Sequence, residues 1–152
     1  MADTDPEGIV SATRAISASA ERIFELIAEP SSQPSWDGNN NLASAAPGQR
    51  VRQVGDVFKT TLTNGGVREN HVVEFIEATK IAWRPAEPGR PPPGHLWRWE
   101  LSEVNSTLTN VTHTYDFTAL TDAKRLEKAR STTAEMLRES MDNLAMLVQR
   151  YE

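Results

Sequence analysis

The sequence contains no cysteine, which excludes disulfide bonds, thiolate metal sites and a cysteine nucleophile. It also lacks an apolar run of the roughly 20 residues that a membrane-spanning helix needs. Acidic residues outnumber basic ones, and no Lys/Arg cluster offsets the net charge of −5, so no nucleic-acid partner is expected. The acidic N-terminal stretch has no basic region followed by an apolar run, as a secretory signal would, which predicts a cytoplasmic protein.

The most regular pattern covers the last thirty residues, from Thr121 to Glu152. Apolar side chains recur there every three or four positions, and neither Gly nor Pro interrupts them. This spacing predicts one long amphipathic helix that begins at Thr121 or Asp122 and needs an equally long apolar surface to pack against. The stripe consists of Leu126, Ala129, Thr133, Leu137, Met141, Leu144 and Val148.

The preceding residues are expected to supply that surface as a β-sheet. A β-branched run over residues 9–17 predicts a first strand, and Ser19 is placed to cap a short helix that ends before Pro30. A short helical turn around Trp36 follows, and the proline-rich segment 87–94 is expected to be a loop. Further strands are predicted at 42–46, 54–62, 67–77, 81–85, 95–104 and 108–118. We expect a disordered lead-in over residues 1–8 and one domain over residues 9–152.

Three segments resemble the helix-grip superfamily that includes START-type lipid carriers and polyketide cyclase/dehydrase-like proteins. Residues 16–30 are similar to its first strand and helix with a following Glu-Pro. Residues 34–37 (Pro-Ser-Trp-Asp) are similar to its Pro-x-Trp segment, and residues 75–83 to a hairpin of the family that ends in an aromatic residue. The resemblance implies an α+β fold in which a curved antiparallel sheet of about six or seven strands wraps around the long C-terminal helix. Two short helices follow the first strand, and the fold encloses a hydrophobic cavity.

Strand alternation indicates which side chains face that cavity, because successive residues point to opposite faces. In segment 67–77 the odd positions are less polar, which places Glu69, His71 and Phe75 on the inner face. Odd positions also form the inner face in segments 95–101 and 109–117. The predicted ligand-binding residues are Trp36, Phe75, Trp83, His95, Trp97 and Trp99, with Leu137, Met141 and Leu144 on the last helix.

Polar residues on these inner faces raise the alternative of catalysis. Glu69 and His71 lie two positions apart and are candidates for a carboxylate–imidazole pair, with His113 or Tyr115 polarising a carbonyl group. These four are the candidate catalytic residues. The competing interpretation is that they are hydrogen-bonded or partly solvated structural residues. The histidines lie on different predicted strands without a compact ligand motif, so neither a metal nor another cofactor is expected.

Three functions are compatible with the sequence. The protein binds a small hydrophobic molecule, aromatic or polyketide- or lipid-like; or it is a polyketide cyclase/dehydrase-type enzyme that uses the same cavity; or it is a co-chaperone-like or toxin–antitoxin interaction module. The polar inner residues favour the first two, because an interaction module needs an exposed apolar patch that the polar outer faces do not predict. A monomer and a homodimer both remain open.

Overall fold

A computed structural model describes residues 4–5 and 8–150 of the 152-residue chain. The sheet contains eight strands within the described residues, in the order β1-β2-β8-β7-β6-β5-β4-β3, and every neighbouring pair is antiparallel. The strands are β1 (Thr4–Asp5), β2 (Ile9–Ile16), β3 (Leu42–Ser44), β4 (Val57–Leu62), β5 (Val67–Ile76), β6 (Lys80–Ala86), β7 (Leu96–Asn105) and β8 (Leu108–Asp116). The helices are α1 (Ala20–Ala28), α2 (Gln33–Trp36), α3 (Ala123–Ala129) and α4 (Ala134–Arg150), with a 3₁₀ turn at Pro30–Ser32.

This architecture confirms the predicted α+β fold with two short helices after the first long strand. The two-residue β1 pairs with the start of β2. The predicted disordered lead-in covers residues 1–8. Besides β1, the structure describes only Gly8 of this segment, which directly precedes β2, and the other residues lie outside the described part of the chain.

The first helix forms where its capping and apolar signals predict it. The Ser19 side chain accepts a hydrogen bond from the Arg22 backbone N–H, which satisfies one of the free donors of the first turn. Ile23, Phe24 and Ile27 share one face and are fully buried, so burial of this face against the core holds the helix in place.

The C-terminal helix is interrupted, which corrects the prediction of one continuous helix. The backbone leaves the helical path between Ala129 and Ala134. Thr133 then caps α4, because its hydroxyl accepts a hydrogen bond from the Met136 backbone N–H at 3.2 Å. The Ser-Thr-Thr run at residues 131–133 competes with helical hydrogen bonding through its hydroxyl groups, and this competition outweighs the continuous apolar stripe.

The apolar stripe of α4 packs into the core. Leu137, Met141 and Leu144 are fully buried, and α4 contacts β2, β8, α1 and α2. The approach to α2 is close at Gly38, where an added Cβ would lie 2.6 Å from the Cβ of Glu139. The Gly38 backbone N–H also donates to the Ser140 hydroxyl at 2.8 Å. These contacts fix α2 against α4 at one end of the sheet.

A β-bulge divides the long strand β5. Val72 pairs with Trp83 and Glu74 pairs with Ala82, so Val73 is an extra residue on β5. The side-chain parity changes at this point, since a bulge shifts the alternation by one. Asn70 and Val72 face inward before the bulge and Phe75 faces inward after it.

Candidate ligand-binding site

A cavity of about 350 Å³ lies between the inner face of the sheet, α2 and the junction of α3 with α4. Strands β4 to β8 supply its floor, and its deep part contains buried side chains such as Trp99 and Gln33. Exposed side chains, among them Glu87, Lys128 and Ser131, border it elsewhere. The cavity therefore runs from a buried end to a mouth near α3 and the loop between β6 and β7.

Four stacked rings from β7 and β8 line the cavity. Trp99 and His113 are cross-strand partners whose ring centroids lie 3.7 Å apart at 12°. Trp97 and Tyr115 form the next pair, with centroids 4.2 Å apart at 28°. Trp97 also stacks on His113 at 5.7 Å, which joins the two pairs. Because neighbouring rings cover one another's faces, the stack presents mainly ring edges to the cavity, and aromatic edges carry partial positive charge.

His113 is buried in this stack and is held as a neutral imidazole. Burial lowers its pKa to about 3. Its Nδ1 lies 3.0 Å from the Arg98 carbonyl oxygen, which can only accept, so Nδ1 carries the proton and Nε2 is left as an acceptor. Burial also raises the pKa of Tyr115 to about 12, which keeps its phenol protonated. The inner face of β8 thus combines a neutral base and a neutral acid two residues apart.

Uncharged polar side chains form a second part of the wall. The buried Asn70 donates from Nδ2 to the Phe58 carbonyl oxygen at 3.1 Å and to the Thr60 hydroxyl at 3.2 Å. Trp36 donates from Nε1 to the Leu26 carbonyl oxygen at 2.8 Å and packs edge-on against Trp99. These bonds hold the side chains in place and satisfy their donors.

Charged groups surround the mouth. Arg125 of α3 donates to Glu87 at 2.6 Å and to Asp122 at 2.7 Å. Arg68 and Lys128 also line the cavity. Burial and, to a smaller extent, the nearby cations together lower the pKa of His95 to about 4; the cations are Arg125, Arg68, Arg84 and Lys128.

The structure brings together seven of the predicted site residues. All of them line the cavity, and they are Trp36, Trp83, His95, Trp97, Trp99, His113 and Tyr115. Their functional roles stay predictions.

Glu69 and His71 do not line the cavity, which corrects their predicted inward orientation. They precede the bulge, where odd positions point to the outer face. Glu69 accepts a hydrogen bond from the Gly89 backbone N–H at 3.1 Å and so ties the proline-rich loop to β5. His71 pairs with Val57 on one side and Arg84 on the other. Neither side chain can therefore take part in chemistry inside the cavity.

Four predicted ligand contacts belong to the core instead. Phe75 packs edge-on against Phe24 at 5.7 Å. Leu137, Met141 and Leu144 are fully buried under the sheet and do not line the cavity. The helix α4 contributes Met136 and Ser140 to the wall, because the interruption before α4 places the cavity beside its first turns.

The sequence reasoning missed the polar wall and the cations of the mouth. Asn70 and Arg68 were assigned to the outer face because the bulge leaves no clear signal in the sequence. The helical pattern places Lys128 away from the apolar stripe, and the position of Lys128 and Arg125 at the mouth follows from the helix interruption. The Ser-Thr-Thr run at 131–133 was the available signal for that interruption.

The described part of the chain holds no group of three or more His, Asp or Glu side chains placed to bind a metal ion. No helix within residues 4–5 and 8–150 has both the length and the apolar character needed to cross a membrane.

Comparisons with known proteins agree with this architecture. A family model described as polyketide cyclase / dehydrase and lipid transport matches residues 7–149. The chain is 30% identical over 123 residues to the uncharacterized protein Rv0088 of Mycobacterium tuberculosis, covering 78% of this chain and 51% of that protein. The chain therefore spans about half the length of this curated relative.

Solved structures are similar over nearly the whole chain. Protein NE0264 of Nitrosomonas europaea superposes with a TM-score of 0.71 at 17% identity, covering 97% of this chain and 98% of the other. A START superfamily protein of Mycobacterium smegmatis superposes with a TM-score of 0.66 at 16% identity, covering 95% and 99%. At these identities the similarity concerns the fold, and it confirms the predicted START-like architecture.

Proposed function

Since the chain belongs to the polyketide cyclase/dehydrase and lipid transport family, we propose that it binds a small hydrophobic molecule with a planar ring system in the cavity described above. The observation that carries this proposal is the four-ring stack along a 350 Å³ cavity. A plain core would fill this space with side chains, because protein interiors are close-packed. An aromatic ligand can meet the ring edges in edge-to-face contacts.

The size of the cavity sets the expected affinity. A two-ring ligand that buries roughly 300 Å² of apolar surface gains about 8 kcal/mol from transfer out of water. Loss of translational and rotational freedom reduces this gain, so the dissociation constant for apolar contacts alone should be no tighter than about micromolar.

A neutral fluorescent probe tests the proposal. N-phenyl-1-naphthylamine fluoresces when it enters an apolar site and carries no charge, so its titration reports the cavity alone. We expect Trp97→Ala to weaken its binding about ten-fold, because Trp97 stacks on both His113 and Tyr115. Phe75→Leu is the matched control, since Phe75 is an aromatic residue of the core outside the cavity. No binding to the native protein, or equal binding to a folded Trp97→Ala variant, would refute the proposal.

A specific observation supports proton-transfer chemistry as a second candidate function. The Arg98 carbonyl holds His113 in the tautomer whose Nε2 can accept a proton, and Tyr115 is its neighbour on the same face. In this proposal Nε2 removes a proton from the carbon beside a ligand carbonyl. The electron pair moves to the carbonyl oxygen, the Tyr115 hydroxyl donates a hydrogen bond to the resulting enolate, and the histidinium later returns the proton to the product.

Hydrogen–deuterium exchange tests this second candidate without knowledge of the substrate. We expect the protein in D₂O to accelerate exchange of the α-protons of 2-naphthylacetone, followed by NMR. His113→Gln should abolish the acceleration, and the affinity of the same variant for N-phenyl-1-naphthylamine separates a loss of chemistry from a loss of binding. Glu69→Gln serves as the control, because Glu69 lies on the outer face. Exchange at the rate of buffer alone, or unchanged exchange in His113→Gln, would exclude this chemistry.

A further inference from the structure

Two of the three cations that line the mouth of the cavity have no carboxylate partner among the described residues. Arg68, Arg125 and Lys128 line it, together with the carboxylates Asp37 and Glu87. Unpaired cations beside a cavity stand out in a chain whose net charge is −5.

Both carboxylates are already engaged. Asp37 accepts hydrogen bonds from three backbone N–H groups, those of Asn39, Asn41 and Leu42, at 2.9–3.2 Å. Glu87 accepts a hydrogen bond from Arg125, whose other nitrogen binds Asp122. The carboxylates at the mouth therefore hold the backbone and α3 in place and do not pair with the two remaining cations.

Arg68 and Lys128 have no carboxylate partner within the described residues. The Arg68 guanidinium donates to the Val67 carbonyl oxygen at 2.9 Å, and a carbonyl leaves its charge uncompensated. Arg68 is half-buried on β5, whereas Lys128 is exposed on α3, so the two cations approach the cavity from the sheet and from the helix. Both cations act on the half-buried His95, whose pKa they help to lower.

We propose that the ligand is an acid: a planar apolar body packed along the four-ring stack, with a carboxylate or similar anionic group held at the mouth by Arg68 and Lys128. This inference rests on the proposed binding function and adds the class of ligand. The positive edges of the stacked rings favour the same polarity. An anionic group at the mouth can form ion pairs with Arg68 and Lys128 without breaking an existing ion pair.

A pair of matched probes separates charge from apolar fit. The dye 1-anilinonaphthalene-8-sulfonate has the body of N-phenyl-1-naphthylamine plus one anionic group. We expect Arg68→Gln and Lys128→Gln each to weaken binding of the sulfonate dye about three-fold, and the double variant about ten-fold, because partly exposed ion pairs contribute modestly. Affinity for the neutral dye should change by less than about two-fold. A higher NaCl concentration should lower the affinity for the sulfonate dye and leave the affinity for the neutral dye unchanged, since salt screens the cations.

Lys124→Gln is the control for the charge change, because Lys124 lies one turn before Lys128 on α3 and does not line the cavity. The inference is overturned, while the binding function stands, in two cases. In the first, the double variant keeps the native ratio of the affinity for the sulfonate dye to that for the neutral dye. In the second, Lys124→Gln lowers this ratio as much as the double variant does. If neither dye binds the native protein, the binding function fails and the inference fails with it.

Discussion

At the scale of single residues, two features of its surroundings act on the imidazole of His113, and they shift its pKa in opposite directions, with burial the larger of the two. Its burial disfavours the charged form, and its hydrogen bond to the Arg98 carbonyl fixes which nitrogen carries the proton. The imidazole is therefore uncharged at neutral pH, and the lowered pKa makes its protonation in the empty cavity unfavourable. The same burial couples the protonation of His113 to the stability of the fold.

We predict that acidification from pH 7.5 to pH 5.0 lowers the free energy of unfolding. The folded pKa of His113 is about 3, whereas an unfolded histidine titrates near 6.5. Between these values the unfolded chain binds a proton that the folded chain does not bind, so the stabilisation is complete above pH 6.5 and is lost as pH falls toward 3. At pH 5.0 the protonation of His113 in the unfolded chain lowers the free energy of unfolding by about 2 kcal/mol. His95, with a pKa lowered to about 4, acts in the same direction.

Urea unfolding at the two pH values measures this effect. His113→Phe keeps an aromatic ring in the stack and removes the titrating group, so its stability should depend less on pH by about 2 kcal/mol over the same interval. An equal pH dependence in the native protein and in this variant would contradict the assignment. Most carboxylates stay ionised above pH 5, which keeps their own titration out of the comparison.

At the scale of elements, the interruption between α3 and α4 creates the cavity mouth. Arg125 and Lys128 lie on α3, Ser131 and Thr132 on the connection, and Met136 on α4, and all of them line the cavity. Thr133 lies at the end of the interruption, where its hydroxyl accepts a hydrogen bond from the Met136 N–H at the start of α4. The cap therefore stabilises both the helix and the wall of the site.

We predict that Thr133→Ala lowers the free energy of unfolding by about 1 kcal/mol, the usual cost of losing an N-cap side chain. Thr121→Ala is the control, since Thr121 is also exposed and precedes α3 without a side-chain hydrogen bond in the described structure. Urea denaturation followed by circular dichroism gives both values. If the two variants lose the same stability, Thr133 does not act as a cap.

At the scale of the whole molecule, the sequence predicted the fold better than the site. Alternation gave the correct inner face in β7 and β8, where the register is continuous from Leu96 to Glu103, and this placed both tryptophans and His113. Alternation predicted the wrong face in the first half of β5, because the extra residue Val73 changes the parity of the inward-facing positions and no residue type at the bulge indicates its presence. The helical pattern also did not reveal that Arg125 and Lys128 lie at the mouth, because the apolar stripe continues through the helix interruption. Local deviations from regular structure therefore shape this cavity.

The cavity joins distant parts of the chain, so ligand binding should stabilise the entire domain. Its wall draws on α2, β4 to β8, α3 and α4, and global unfolding therefore destroys the site. A ligand at 100 times its dissociation constant adds about 2.7 kcal/mol to the free energy of unfolding. For a chain of this length that corresponds to a rise in Tm of roughly 5–10 °C. We predict such a rise with N-phenyl-1-naphthylamine, measured by circular dichroism, and a smaller one at the same concentration in Trp97→Ala. An unchanged Tm at saturating dye would show that the dye binds outside the folded cavity.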